Sequence, residues 1–279
     1  MKKRLIYFIL SGLILSGLQS TAFSAGKDEV EQMVHMPIPP KEVTEKKGKF
    51  FASTYYDYGS VNQDHKKGQW KLLVETLGYN INNYITPYTE FYYWDRLHKK
   101  DYAVNAGTYF RFKDSPAFGR IEIGFGSDID YIYTFQTTAE YAHRLKGNLY
   151  WQAGYKFLNY SENDVYILYP GLIYYLGDHS IALSYNLSIT ESRGTASWGT
   201  IKGDFRINDR IRFYTGTAIG NRLYDIDLLN SNKQYGYILF GGFDFNIMKN
   251  VNLKLGGSYS RENPAFIKRS AECALIVRF

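Results

Sequence analysis

The chain reads as an all-β transmembrane antiparallel barrel behind a cleaved signal peptide. Three features predict this. A positive, apolar leader opens the sequence. An alternating segment closing on an aromatic, Glu272-Cys273-Ala274-Leu275-Ile276-Val277-Arg278-Phe279, ends it. Between them the chain is a series of alternating stretches about 9–13 residues long, the length of a tilted membrane strand.

The leader comes first. Lys2, Lys3 and Arg4 form its positive region, and residues 5–18 form its apolar core. Small residues follow, and Ala22-Phe23-Ser24 predicts cleavage near Ser24 or Ala25. The apolar run is shorter than the roughly 20 residues a spanning helix needs, so a signal peptide (1–25) fits better than an anchor. Residues 26–47 are charged, carry Pro37, Pro39 and Pro40, and lack periodicity. They read as a flexible periplasmic tail. The barrel domain is expected over 48–279.

Alternation then predicts strands at 49–58, 69–79, 83–94, 101–112, 117–126, 131–144, 148–160, 164–176, 179–191, 196–207, 210–221, 236–247, 250–260 and 270–279. That makes about 14 strands, with 12 or 16 as the other even counts the pattern allows. Connections after even strands are short turns, such as Gly177-Asp178 and Asn208-Asp209. Those after odd strands tend to run longer, notably 59–68, 95–100, 222–235 and 261–269, although 127–130 and 161–163 are brief. A barrel with both termini in the periplasm sorts its connections this way, with short turns inside and long loops outside.

Composition agrees. Mean hydropathy is slightly negative, as expected where only alternate residues meet lipid. The 27 Tyr and 18 Phe suit membrane interfaces, where an apolar ring can carry a wet hydroxyl. The net charge is +6, and three of those charges lie in the leader, so no nucleic-acid partner is implied. A single cysteine, Cys273, allows no internal disulfide.

The two faces can be assigned strand by strand. On 148–160, Leu149, Trp151, Ala153, Tyr155 and Phe157 oppose Tyr150, Gln152, Gly154 and Lys156. On 179–191, Ile181, Leu183, Tyr185, Leu187 and Ile189 oppose Ala182, Ser184, Asn186, Ser188 and Thr190. On 131–144, Tyr133, Phe135, Ala139 and Tyr141 oppose Thr134, Gln136, Thr138 and Glu140. The apolar set must meet lipid, so the polar set is expected to line a wet lumen.

The charged residues expected in that lumen are Asp57, Lys71, Glu75, Glu90, Arg111, Arg120, Glu122, Glu140, Lys156, Lys202, Asp204, Arg212, Asp244, Lys254 and Glu272. Glu75, Glu90, Arg111, Arg120, Glu140 and Lys156 are the leading candidates for setting selectivity. The competing reading is a set of cross-paired charges that simply holds the barrel round. Glu75 and Glu90 on adjacent strands could form a carboxylate pair for acid/base work, although Lys71 or Arg111 would ordinarily pair with them.

No enzyme is expected. His35, His65, His98, His143 and His179 lack partners at metal or triad spacing, and no Gly-x-Ser-x-Gly elbow occurs. No metal or cofactor is implied. Lys66 and Lys67 beside His65, and Lys99 and Lys100 beside Arg96 and His98, are expected in outer loops that could pair with lipopolysaccharide phosphates or an acidic polysaccharide. Tyr224, with Ile226, Leu228 and Leu229, makes loop 222–235 unusually apolar, suiting a partial plug or a docking segment.

Several diffuse patterns resemble the YaiO-like outer-membrane β-barrel family. They are Thr54-Tyr55-Tyr56-Asp57-Tyr58 before strand 69–79; Gly154-Tyr155-Lys156-Phe157 with Tyr160, Asp164 and Val165; and Asn252-Leu253-Lys254-Leu255-Gly256 before a last strand ending at Phe279. The resemblance covers residues 48–279. It implies an outer-membrane barrel in contact with lipid and lipopolysaccharide, and a link to surface polysaccharide. By likeness to barrels generally, the Phe279 strand is the assembly signal read by the barrel-assembly machinery. The function expected is a conduit or binding barrel for a small polar solute or surface glycan. The alternatives are a plugged scaffold that binds a surface polysaccharide or a partner protein and, ranked below it, an outer-membrane enzyme.

Overall fold

A computed structural model describes residues 49–279 apart from 64–65, 97–98, 114, 128–131, 162, 191–193, 223–233 and 263–265. The leader and the tail 26–47 lie outside the described residues. So do Tyr224, His65 and His98.

The strands are β1 (Lys49–Gln63), β2 (Lys66–Asn80), β3 (Ile85–Arg96), β4 (Lys99–Arg111), β5 (Ala117–Gly126), β6 (Phe135–Lys146), β7 (Leu149–Asn159), β8 (Asp164–Leu168), β9 (Gly171–Leu176), β10 (His179–Thr190), β11 (Gly194–Arg206), β12 (Ile211–Arg222), β13 (Gln234–Met248), β14 (Val251–Glu262) and β15 (Phe266–Arg278). Every pairing is antiparallel between neighbours, and β15 returns to β1 with Asp57 opposite Glu272. The sheet is therefore closed and leaves no edge for lipid to strand. β8 and β9 both pair with β7 and β10 and form one stave, so the barrel has 14.

The break in that stave has a local cause. Pro170 has no N–H to give the ladder. Tyr169 N–H still donates to Gly154 O at 2.9 Å, and Pro170 O accepts from Tyr185 N–H at 3.0 Å. Two-residue turns at Gly147 (φ 54°) and Gly177 (φ 62°) use the left-handed backbone that tight hairpins require.

The strands outrun the expected loops. β1 and β2 leave only residues 64–65 between them, and β3 and β4 only 97–98. The expected loops 59–68 and 95–100 are thus largely strand, because polar residues above a lipid band can still pair in the ladder. β15 likewise starts at Phe266 within the expected loop 261–269. The connection between β12 and β13 remains long.

Outward residues form an apolar wall with Leu77, Ile121, Ile123, Phe125, Leu183, Ile201, Ile219, Leu239 and Leu255 exposed. Aromatic chains run near both rims. At the end carrying the chain termini, Phe112–Tyr141–Trp151 and Phe205–Phe213–Phe243 have ring centroids 5.3–6.4 Å apart. At the other end, Phe125–Phe135–Phe157–Tyr166 are linked at 5.1–6.4 Å. An apolar belt between two aromatic girdles is the outer surface of a membrane barrel.

Candidate functional site in the barrel interior

Register decides which charges look inward. Directly opposed residues share a face. Tyr55 reaches the inner residue Glu272, so odd residues of β1 face in and even ones face out. On β2 the inner set is Trp70, Leu72 and Val74, all at most 3 % exposed. Lys71 and Glu75 therefore face out, against expectation. Lys71 pairs with Asp95 at 2.5 Å on that outer face. Glu75 accepts from the Thr54 hydroxyl at 2.8 Å and lies opposite Phe91 rather than Glu90. The expected Glu75/Glu90 pair does not form. The apolar trio on β2 claims the interior, so its alternate residues must leave it.

The other expected lumenal charges do point inward. Glu90 is buried, accepting from the Tyr92 hydroxyl and from Thr76 Oγ1 at 3.1 Å. Lys156 is buried on β7, and Arg111 is half-buried low on β4. The densest constellation lies on β5 and β6. Arg120 Nε and Nη2 donate to the two Glu140 oxygens at 2.9 and 3.3 Å, and Arg120 Nη1 lies 3.8 Å from Glu122 Oε2. Tyr169 OH donates to Glu140 Oε1 at 3.0 Å. Glu122 accepts from Tyr88 OH (2.6 Å), Gln136 Nε2 (2.8 Å) and Asn105 Nδ2 (3.1 Å).

Half the ring away, β14 carries Lys254. Its ammonium sits 4.0 Å from the Tyr214 ring centroid. Lys202 on β11 is within electrostatic range of Lys254, Glu140 and Arg120. Two walls of mixed charge thus face each other across the interior. Near the end carrying the termini, Arg212 binds Asp204 and Arg206 binds Asp178 in partly exposed pairs, and Arg206 also binds the exposed Asp209.

The opposite half is not wet. Leu72, Val74, Trp94, Ala103, Ile132, Leu158, Val165, Ile167, Trp198, Ala218 and Ile238 form one apolar cluster inside the barrel. The interior is therefore polar in the charge belt and largely apolar above it, and a second apolar cluster of Phe118, Ala142, Tyr150, Ile173, Tyr175 and Ala182 lies toward the end carrying the termini. Tyr133, expected outside, is 4 % exposed and donates to Asn105 Oδ1 at 2.8 Å. β6 begins only at Phe135, so Tyr133 escapes strand alternation. Asp57 and Lys268 pair at 3.3 Å beside Trp70, which Arg96 overlies at 5.1 Å. Arg96, expected in a loop, is thus a buried inner residue. Sequence alone does not single out Lys268, Trp70 or the phenols of Tyr88, Tyr169 and Tyr214, which only inward parity marks, and it places Tyr133 on the wrong face.

Of the expected loop cations, Lys67, Lys99 and Lys100 are exposed on the rim. The Lys66 side chain lies outside the described residues. Phe279 is half-exposed, and its N–H donates to Phe50 O at 2.8 Å.

The fold and its girdles define an outer-membrane β-barrel. The YaiO membrane beta barrel domain model matches residues 49–202, so the chain belongs to that family. The match ends within β11, while the sheet continues to β15. No curated protein sequence matches the chain. Solved structures share the fold at low identity. A bacterial polysaccharide outer membrane secretin is 9 % identical with TM-score 0.56, covering 84 % of this chain and 98 % of its own. Acinetobacter baumannii Omp33 is 11 % identical with TM-score 0.51, covering 83 % and 99 %. The NanC porin is 11 % identical with TM-score 0.50, covering 80 % and 98 %.

Proposed function

We propose that this outer-membrane barrel is a gated conduit for a small polar solute. Its charge belt sets selectivity, and its apolar layer closes the outward half. The observation carrying this reading is the pair of opposed charged walls, with Arg120 and Glu140 facing Lys202 and Lys254. A low-dielectric wall strengthens such a field. The charges act by steering, and no bond-making role is assigned to them. The end bearing the chain termini faces the periplasm, where the tail 26–47 would lie. Lys67, Lys99 and Lys100 then face outward, where lipopolysaccharide phosphates would meet them. A surface glycan is a possible class of cargo, in keeping with the polysaccharide secretin among the similar folds.

Planar-bilayer conductance tests this. Wild type should open, and Glu140→Gln should shift selectivity toward anions. That variant leaves Arg120 partly unbalanced and should cost about 3 kcal/mol, the low end for breaking a buried pair. Heat-modifiable mobility on gels verifies folding. A folded wild type that stays silent, both alone and with the apolar layer truncated, overturns the conduit. The apolar layer favours a second reading in that event: a closed scaffold binding a polysaccharide or a partner protein.

A further inference from the structure

Several interior carboxylates and two of the interior lysines differ in how fully they are satisfied. Glu122 accepts from three neutral donors besides its contact with Arg120. Glu140 holds two bonds from Arg120 and one from Tyr169. Glu272 accepts from Tyr55 at 2.9 Å and from Tyr214. Asp204 holds Arg212, and Asp244 accepts from Asn252 Nδ2 at 3.4 Å.

Lys202 and Lys254 stand apart. Among the described residues, neither ammonium makes a hydrogen bond or an ion pair within contact distance. Lys254 rests on the Tyr214 ring, and Lys202 meets only longer-range charges. Both side chains are half-buried, and neither nitrogen is among the sealed polar atoms that lack a partner. Each ammonium therefore opens onto interior space with donors to spare, since an ammonium offers three and accepts none. Glycines flank them. Gly216 lies opposite Lys202, and Gly256 is two residues beyond Lys254 on the same inner face. Aromatic side chains lean over that bare backbone, the Phe240 ring across Gly216 and the Tyr214 hydroxyl across Gly256.

We propose that Lys202 and Lys254 form a lumenal subsite for the carboxylate of a small organic acid, sugar acids included. The reading rests on the lumenal site proposed above and names the solute class it takes. A singly charged carboxylate fits better than a doubly charged anion, because Glu140 and Glu272 lie close by and would repel added charge. Charge-assisted donors aimed into a confined, partly dry space are the usual means of holding such a group. Tyr214 steadies Lys254 through its ring face.

The test is calorimetric titration of the refolded full chain in detergent with glucuronate, and with glucose as the neutral comparison. Saturable binding of glucuronate and none of glucose is expected. Lys202→Gln and Lys254→Gln should each weaken it about tenfold or more, as losing one charge-assisted hydrogen bond does. Lys202→Arg should keep most of it. All variants should remain heat-modifiable. Equal affinity in the folded double variant, or no binding by wild type, overturns the subsite. Because binding is read without current, lysine-dependent binding by a barrel that never conducts would leave the subsite standing and remove the conduit alone.

Discussion

Glu75 puts a carboxylate on the lipid-facing wall, with the Thr54 hydroxyl as its hydrogen-bond partner among the described residues. Charge there is costly, at roughly 2–4 kcal/mol for a lysine or arginine near the midplane and less for a carboxylate. Glu75→Leu should therefore stabilise the barrel by about 1 kcal/mol in urea refolding into lipid vesicles, while leaving conductance unchanged. A conductance change would return Glu75 to the lumen and refute the register argument. The residue also marks where sequence could not choose. In Trp70-Lys71-Leu72-Leu73-Val74-Glu75-Thr76-Leu77, both alternate sets mix polar and apolar residues. Parity alone leaves the inner set of this strand open, and packing against the interior apolar cluster decides it. Where one set is mostly polar, as with Gln136, Thr138 and Glu140 beside Arg120 and Glu122, alternation and the observed inner face agree.

At the scale of elements, the β8–β9 stave shows how an interruption serves the interior. Pro170 breaks the ladder, and Tyr169 leans over Gly154 to reach Glu140. A β-carbon at Gly154 would land on the Tyr169 ring. Gly154→Val should push the phenol off Glu140 and cost about 1–3 kcal/mol, the usual range for overpacking. The heat-modifiable form should then melt at a lower temperature. Unchanged melting would mean the ring has room to move aside. Strand existence and order were legible throughout, because alternation survives wherever one face meets lipid. Strand ends were not. Asn62 and Arg269 look like loop residues, yet they lie in β1 and β15. Polar side chains above the lipid band carry no period that could mark where pairing stops.

Across the whole molecule, closure is the property the sheet shows, and gating is the one proposed for it. Closure depends on β15 meeting β1 along its full length, ending at Phe279 N–H on Phe50 O. Deleting Phe279 is expected to lower the yield of membrane-integrated, heat-modifiable protein in cells, and normal yield would show that the last residue carries no assembly signal. The proposed gating rests on the apolar layer, whose aromatic members include Trp94, stacked on Tyr92 with ring centroids 5.0 Å apart, and Trp198 on β11. Water enters an apolar constriction reluctantly, so a layer of this kind closes a path by dewetting. The layer also stabilises the barrel, since each Trp→Ala change removes a large buried side chain at about 3–5 kcal/mol. Replacing both with Gln instead keeps much of the volume and wets the layer. Trp94→Gln with Trp198→Gln should therefore convert rare, brief openings into long ones, with a rise of several-fold in mean current and unchanged dependence on Glu140. If the wetted variant folds and its current matches wild type, the layer is not the barrier, and the resistance must lie below it, in the charge belt or in the lower apolar cluster around Tyr150 and Ile173.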